Sequence, residues 1–364
     1  ESALGYLLGG GLPLAASGEL ANWLAPFASG LDSAVSPVPP ASEQRYRMIE
    51  EGQFEPHWRT PIRRAAEHWW IASYSALRLD EDAPSQVSRH EDAAPDSPAM
   101  QNVIDDEDPL LALVPLPASA QGLHRFPRGP NPGTFLHGLL EMAAQEGFAA
   151  LVQDPSRLRE ALARRCQRRG LESWIDPLQD WLLALLTQPL PLADADSVVL
   201  AQLTQYQPEL EFWFEARGVD VRLLDQWVQQ CELPGIVRQP LRADTLNGMF
   251  KGFIDLVFEH QGRFYVADYK SNWLGSDDSA YTRDAMETAI ASHRYDLQYV
   301  LYVLALHRQL RLRLPDYDYD QHVGGALYLF LRAPQQGAYL ARPPRELIER
   351  LDALFMGEAE EGAA

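Results

Sequence analysis

Two aspartates and a lysine carry the most specific chemistry this sequence offers. They are Asp255, in Gly252-Phe253-Ile254-Asp255, and the pair in Asp268-Tyr269-Lys270, with twelve residues between the aspartates. Residues 250–259 and 263–270 each read as a strand, and His260-Gln261-Gly262 reads as the turn of a hairpin between them. Side chains two apart on a strand share a face, so Asp268 and Lys270 project together, roughly 6 to 7 Å apart. Pairing of the hairpin lets Asp255 meet Asp268. Two carboxylates beside one ammonium suit a hard divalent cation, with the lysine left to hold a water or a developing charge. Phosphodiester hydrolysis needs those parts. An edge-strand salt bridge would use the same residues. However, the flanking runs 253–258 and 265–269 are strongly apolar, and a carboxylate left alone in a central strand is costly.

Lysine usage singles out the same place. All but two of the 31 basic residues are arginine, and the exceptions, Lys251 and Lys270, flank this one hairpin. An ammonium is a compact point charge where a guanidinium is a delocalised fork, so a lysine kept in an arginine background marks a need for an ammonium. Lys251 reads more simply as chance survival.

The elements that must position these residues follow from the pattern on either side. Residues 20–27 and 61–79 look helical, with Trp58, Trp69 and Trp70 available for a local core. Residues 80–132 are rich in Pro, Ala, Ser and acid and read as a linker, partly disordered. Asn131-Pro132-Gly133 is a breaker and Thr134 a helix N-cap, so a helix is expected over 135–146, with more helix between 156 and 186. Strands are expected over 209–216, 250–259 and 263–270, then one long helix over 283–312, then a buried strand over 324–331. The order is helix, three strands, helix, strand.

Composition is that of a soluble globular protein, with 46% hydrophobic and 23% charged residues and no apolar run long enough for a membrane helix. A net charge of −20 argues at first against nucleic acid. Nearly half of that excess sits in residues 80–108, where ten acids face Arg89 alone, so the balance does not exclude DNA. Cys166 and Cys231 have no CxxC spacing, so neither a disulfide framework nor a thiolate zinc site is expected. The start lacks both a basic n-region and a Met, so the expectation is a cytoplasmic piece of a longer protein with no signal peptide.

Further residues stand near the hairpin in the pattern. His137 could add an imidazole, although a lone histidine on a helix is more often a core or surface residue. Gln298 and Tyr302, at i and i+4, share a helix face. Glu209 and Glu211 share a strand face, and either could add a carboxylate.

The sequence resembles the RecB family of nuclease domains, within the PD-(D/E)XK class. The resemblance rests on Gly133-Thr134-Phe135-Leu136-His137, on 252–258, on Asp268-Tyr269-Lys270-Ser271-Asn272-Trp273-Leu274-Gly275, on 293–299, and on Gly324-Gly325 through Phe330-Leu331-Arg332. It implies an α/β nuclease core, αβββαβ, with a central mixed sheet flanked by helices and an α-helical N-terminal extension. It implies metal ligation by His137, Asp255, Asp268 and the main-chain carbonyl of Tyr269, catalysis by Lys270 with Asp255 and Asp268, and a place for Gln298 and Tyr302 in a Q-x-x-x-Y element. The implied ion is Mg²⁺, with Mn²⁺ also fitting and Ca²⁺ a non-productive occupant. The implied partners are DNA, as single- and double-strand ends, and RecC and RecD subunits, for recombinational repair. No Walker A loop is present, so ATP hydrolysis is not expected of this chain. Residues 1–79 are expected to be the tail of a helicase region, 80–132 a linker, and 133–364 the nuclease domain. The competing expectation is an inactive nuclease-fold module that docks a partner or DNA, which should lack one of Asp255, Asp268 or Lys270.

Overall fold

The computed structural model of the chain describes residues 70–77, 120–241 and 244–358. The helix expected over 20–27, the residues Trp58 and Trp69, and most of the acidic linker lie outside them. The expected helix over 61–79 gives way in its described part to strand β1 (Trp70–Ala72) and a single turn, α1 (Tyr74–Leu77). The reason is non-local: β1 lies parallel to a later strand, with Trp70 opposite Gly248 and Ala72 opposite Phe250. Tertiary pairing overrides the local helical pattern.

Leu123 and Phe126 are buried. Helix α2 (Pro130–Glu146) starts five residues earlier than expected, with Gly129 as its N-cap. Prolines are tolerated in a first turn, where no intrahelical N–H is needed, so the Asn-Pro-Gly run opens the helix rather than breaking it. Thr134 is therefore inside the helix, donating its hydroxyl to the Pro130 carbonyl, and His137 stands two turns in. Helices α3 (Phe148–Gln153), α4 (Pro155–Gln167) and α5 (Ile175–Thr187) follow, then a ribbon of β2 (Leu190–Pro191) and β3 (Ser197–Val198).

The main sheet adds β4 (Tyr206–Asp220), then helix α6 (Val221–Cys231), then the hairpin β5 (Thr245–His260) and β6 (Arg263–Lys270). The crossover from β6 runs through α7 (Arg283–Ser292), α8 (Tyr295–Arg313) and the short α9 (Tyr319–His322) to β7 (Val323–Phe330). It closes with β8 (Ala338–Ala341) and α10 (Arg345–Phe355). The sheet is mixed: β4–β5 and β5–β6 are antiparallel, β6–β7 parallel, β7–β8 antiparallel. Because β4 covers one edge of β5 along most of its length, β1 and β6 share the other edge end to end. Among the described residues no strand pairs the outer edge of β4.

Helices cover both faces. On one side α2, α4 and α5 pack Leu136, Leu140, Leu162 and Leu182 against Leu256, Ala267 and Leu327 of the sheet. On the other, α6, α8 and α10 pack Leu224, Val300, Leu304 and Leu351 against Phe250, Ile254 and Ala326. Every residue of α8 from Tyr295 to His307 is buried, so the helix is enclosed all round rather than along one stripe. The single helix expected over 283–312 is two: Arg294, at φ 58°, breaks it between α7 and α8. No helix among the described residues is long and apolar enough to cross a membrane.

Two glycines set the register that matters most. Phe264 pairs with Val323 but Tyr265 pairs with Gly325, so Gly324 is the extra residue of a bulge. A Cβ on Gly324 would fall 2.2 Å from the Tyr265 ring. Gly325 has φ +125°, and a Cβ there would meet the Ala341 carbonyl oxygen at 2.4 Å. Beyond the bulge, Asp268 lies opposite Tyr328 and Lys270 opposite Phe330. Gly325→Ala is expected to cost ~2 kcal/mol or more through backbone strain and overpacking, lowering the melting temperature by several degrees. Gly138→Ala, in α2 with open space at its Cβ, should instead raise it slightly, and thermal unfolding of the two variants checks both signs.

Candidate active site

Asp255 and Asp268 each stand one residue beyond the last β5–β6 pair, Leu256 with Ala267, on adjoining strands. The strands are irregular at this point. Phe250 and Ile254 face the α8 core, whereas Leu256 and Phe258, of the same parity, face the α2 core. On β4 the same change of side occurs between Tyr206 and Leu210. Glu209, in that interval, has φ 47°. The simple alternation that would place Glu209 and Glu211 on one face therefore fails where the two acids are needed apart.

Glu209 turns to the aspartates. Burial, then the charges of Asp255, Glu141 and Asp268, push its carboxyl up to about 8, with His137 opposing them. Glu211 points elsewhere, to Lys251 at 2.9 Å and to the Trp213 indole N–H at 3.0 Å. Lys251 lies over the Trp213 and Phe253 rings, away from the other lysine's site. Of the two glutamates, Glu209 is the one in the cluster.

Asp255 accepts the Tyr269 backbone N–H on Oδ2 at 2.7 Å, and His137 Nδ1 lies 3.5 Å from the same oxygen. The imidazole also meets the Tyr269 ring edge-on. Asp268 Oδ2 is 2.7 Å from Lys270 Nζ, and both side chains are buried. The ammonium sits over two aromatic rings, Tyr295 at 4.0 Å and Tyr328 at 5.4 Å, which hold a cation through their faces. Gln298 bridges the neighbouring phenols: its amide donates to the Tyr302 hydroxyl at 3.0 Å and its carbonyl accepts from Tyr328 at 2.8 Å. Burial, then the charge of Asp268, raise the Tyr302 and Tyr328 hydroxyls well above the usual range, so both stay protonated.

The structure thus brings His137, Asp255, Asp268, Lys270, Gln298, Tyr302 and Glu209 to one place, with Tyr269 between the acids. Glu211 is left out. Sequence reasoning missed Glu141, Tyr295 and Tyr328. Glu141 was legible, being four residues after His137 on the same helix face. Tyr328 depends on the bulge at Gly324 and had no local signal. Arg332 also went unassigned, although it is fully buried and donates to the carbonyls of Ser271, Leu123, Phe126 and Pro127. It ties the segment before α2 to the residue after Lys270.

Oxygen donors on two or three carboxylates with one imidazole are the chemistry of a site for Mg²⁺ or Mn²⁺. Among the described residues no three His, Cys, Asp or Glu side chains already close around a point as a cage. Asp268 is instead drawn onto Lys270, and a cation bound there would compete with that ion pair. Crowding of Glu209 by its acidic neighbours is the repulsion such a cation relieves.

A model of the PD-(D/E)XK nuclease superfamily matches residues 118–363, and the chain belongs to that superfamily. Among characterised proteins it is similar to the RecBCD enzyme subunit RecB of Escherichia coli K12, 39% identical over 100% of this chain and 29% of that protein. It is similar also to RecB of Haemophilus influenzae, 35% identical over 63% of this chain and 19% of that protein. For RecB of Mycolicibacterium smegmatis the figures are 28% identity over 90% of this chain and 32% of that protein. The chain spans less than a third of the length of each of these relatives.

With its folded value raised to about 8 from an ordinary 4.5, Glu209 keeps its proton in the folded chain while the unfolded chain loses it. Metal-free stability should therefore fall as pH rises from about 5 to 8. Glu209→Gln is expected to flatten that fall, and added Mg²⁺ to oppose it, as read by thermal unfolding across the pH range.

Proposed function

We propose that the chain is a Mg²⁺-dependent DNA nuclease whose catalytic groups are Asp255, Asp268 and Lys270. The observation that carries this reading is the meeting of two buried carboxylates and a buried ammonium on adjoining central strands, in a chain of the PD-(D/E)XK superfamily. Structural ion pairs alone do not require a third carboxylate, Glu209, crowded against the same two.

Asp255, Asp268 and His137 would hold the ion, with the Tyr269 carbonyl and Glu209 completing its surroundings. When bound, the ion supplies a more acidic water and neutralises charge on the phosphate. His137 is kept oriented by its edge-on contact with Tyr269, and Asp255 by the Tyr269 N–H. Lys270, once Asp268 turns to the ion, keeps its ammonium between Tyr295 and Tyr328 and presents it to the attacking water or the phosphate oxygens. Gln298 and Tyr302 are buried beside them, and Gln298, donating to the Tyr302 hydroxyl and accepting from Tyr328, would hold the tyrosines around Lys270 in place.

By similarity to RecB, the chain serves as the nuclease part of a RecBCD-type helicase-nuclease in the cytoplasm, beside RecC and RecD subunits. Its substrate class is DNA with single- or double-strand ends, processed for recombinational repair. Linear single-stranded DNA incubated with the chain and Mg²⁺ is expected to be degraded. EDTA or Asp268→Ala should abolish that, and Lys270→Ala should lower the rate about 100-fold or more. Glu211→Gln should leave it unchanged. An intact chain that binds DNA or partner subunits yet never cleaves, with Mn²⁺ also tried, would replace this reading with a docking module.

A further inference from the structure

Residues 70–77 precede the 118–363 stretch that matches the superfamily, yet they are built into the nuclease fold. Strand β1 occupies the part of the β5 edge that β6 does not reach. Ala72 and Leu77, 2% and 4% exposed, lie in the same core as Phe250, Ile254 and Leu297. Between them Tyr74 turns inward, and its hydroxyl donates to the His293 carbonyl at 2.9 Å.

That carbonyl stands at a strained joint. Arg294, the next residue, has φ 58° and ψ 27°, a left-handed conformation that a non-glycine residue keeps only where its surroundings hold it there. From one side Arg294 is held by Asp225 at 2.6 Å and the Gln239 carbonyl at 2.8 Å. Tyr74 holds the preceding residue. The residue after the joint is Tyr295, whose ring lies 4.0 Å from Lys270 Nζ and whose hydroxyl donates to Asn272 Oδ1 at 3.2 Å. One turn further on is Gln298.

We propose that Tyr74 is a positioning residue of the nuclease site, fixing the His293–Arg294 joint and through it the start of α8 with Tyr295 and Gln298. The kinetic consequence rests on the nuclease reading above; the conformational one does not. The test compares the unaltered chain with Tyr74→Phe, which removes one hydroxyl and keeps the ring. Amide hydrogen exchange is followed over residues 289–300, together with thermal unfolding and Mg²⁺-dependent cleavage of single-stranded DNA. Loss of one hydrogen bond is expected to speed exchange about 5-fold at the joint, and not in β6 or β7, with little change in melting temperature. The kcat should fall by a similar factor at constant KM. Unchanged exchange at the joint overturns the proposal, whatever the cleavage rate does. So does faster exchange spread evenly over the sheet with a lowered melting temperature, which would make Tyr74 a residue of general stability. If the unaltered chain cleaves nothing, the nuclease reading falls, and the exchange experiment still decides the role of Tyr74.

Discussion

A buried ammonium against a buried carboxylate is the constraint around which the rest of the molecule is arranged. Lys270 and Asp268 sit in the middle of a sheet covered by helices on both faces, and neither charge can be tolerated there alone. The ion pair meets part of that demand and two tyrosine rings meet more. Gln298 satisfies the phenols that crowd in beside it. The partners come from three elements: β6 supplies the charges, β7 supplies Tyr328, and α8 supplies Tyr295, Gln298 and Tyr302. A site built this way fixes the relative placement of the two parallel strands and the crossover helix between them.

The second cluster, around Asp255, is held differently. There the acids outnumber the bases, and the protein tolerates this by keeping Glu209 protonated and by giving Asp255 a backbone N–H from Tyr269. One half of the site is thus internally neutralised and the other half carries unrelieved negative charge. That asymmetry gives the site a direction, with the carboxylates gathered on the Asp255 side and the protein's own cation on the Lys270 side.

Much of this was legible in the sequence because the hairpin is local. Residues 250–259 and 263–270 combine apolar strands with a short Gly-containing turn, and Asp255, Asp268 and Lys270 land where strand geometry puts them. The αβββαβ order was legible for the same reason. What was not legible depends on contacts between distant residues. The strand at Trp70–Ala72 exists because β5 has room for it, the break at Arg294 because Asp225 and Tyr74 hold it. The choice between Glu209 and Glu211 turns on a positive φ that no residue preference foretells for a glutamate. The early start of α2 misled for a local reason, since Asn-Pro-Gly ends helices in most settings and here begins one.

The outer edge of β4, which no strand pairs among the described residues, has a bearing on how the molecule behaves among its own kind. A fifteen-residue edge strand is a template onto which another chain's strand can add, the usual opening move of aggregation. Along this edge Glu211, Glu215 and Arg217 alternate with the apolar side chains that face the core, and each outward residue is charged or, at Trp213, flanked by charge. A second copy approaching in the same way would bring its acids against these. The pattern that packs Phe212 and Phe214 on one side therefore also works as a guard on the other, disfavouring the addition of a neighbour's strand.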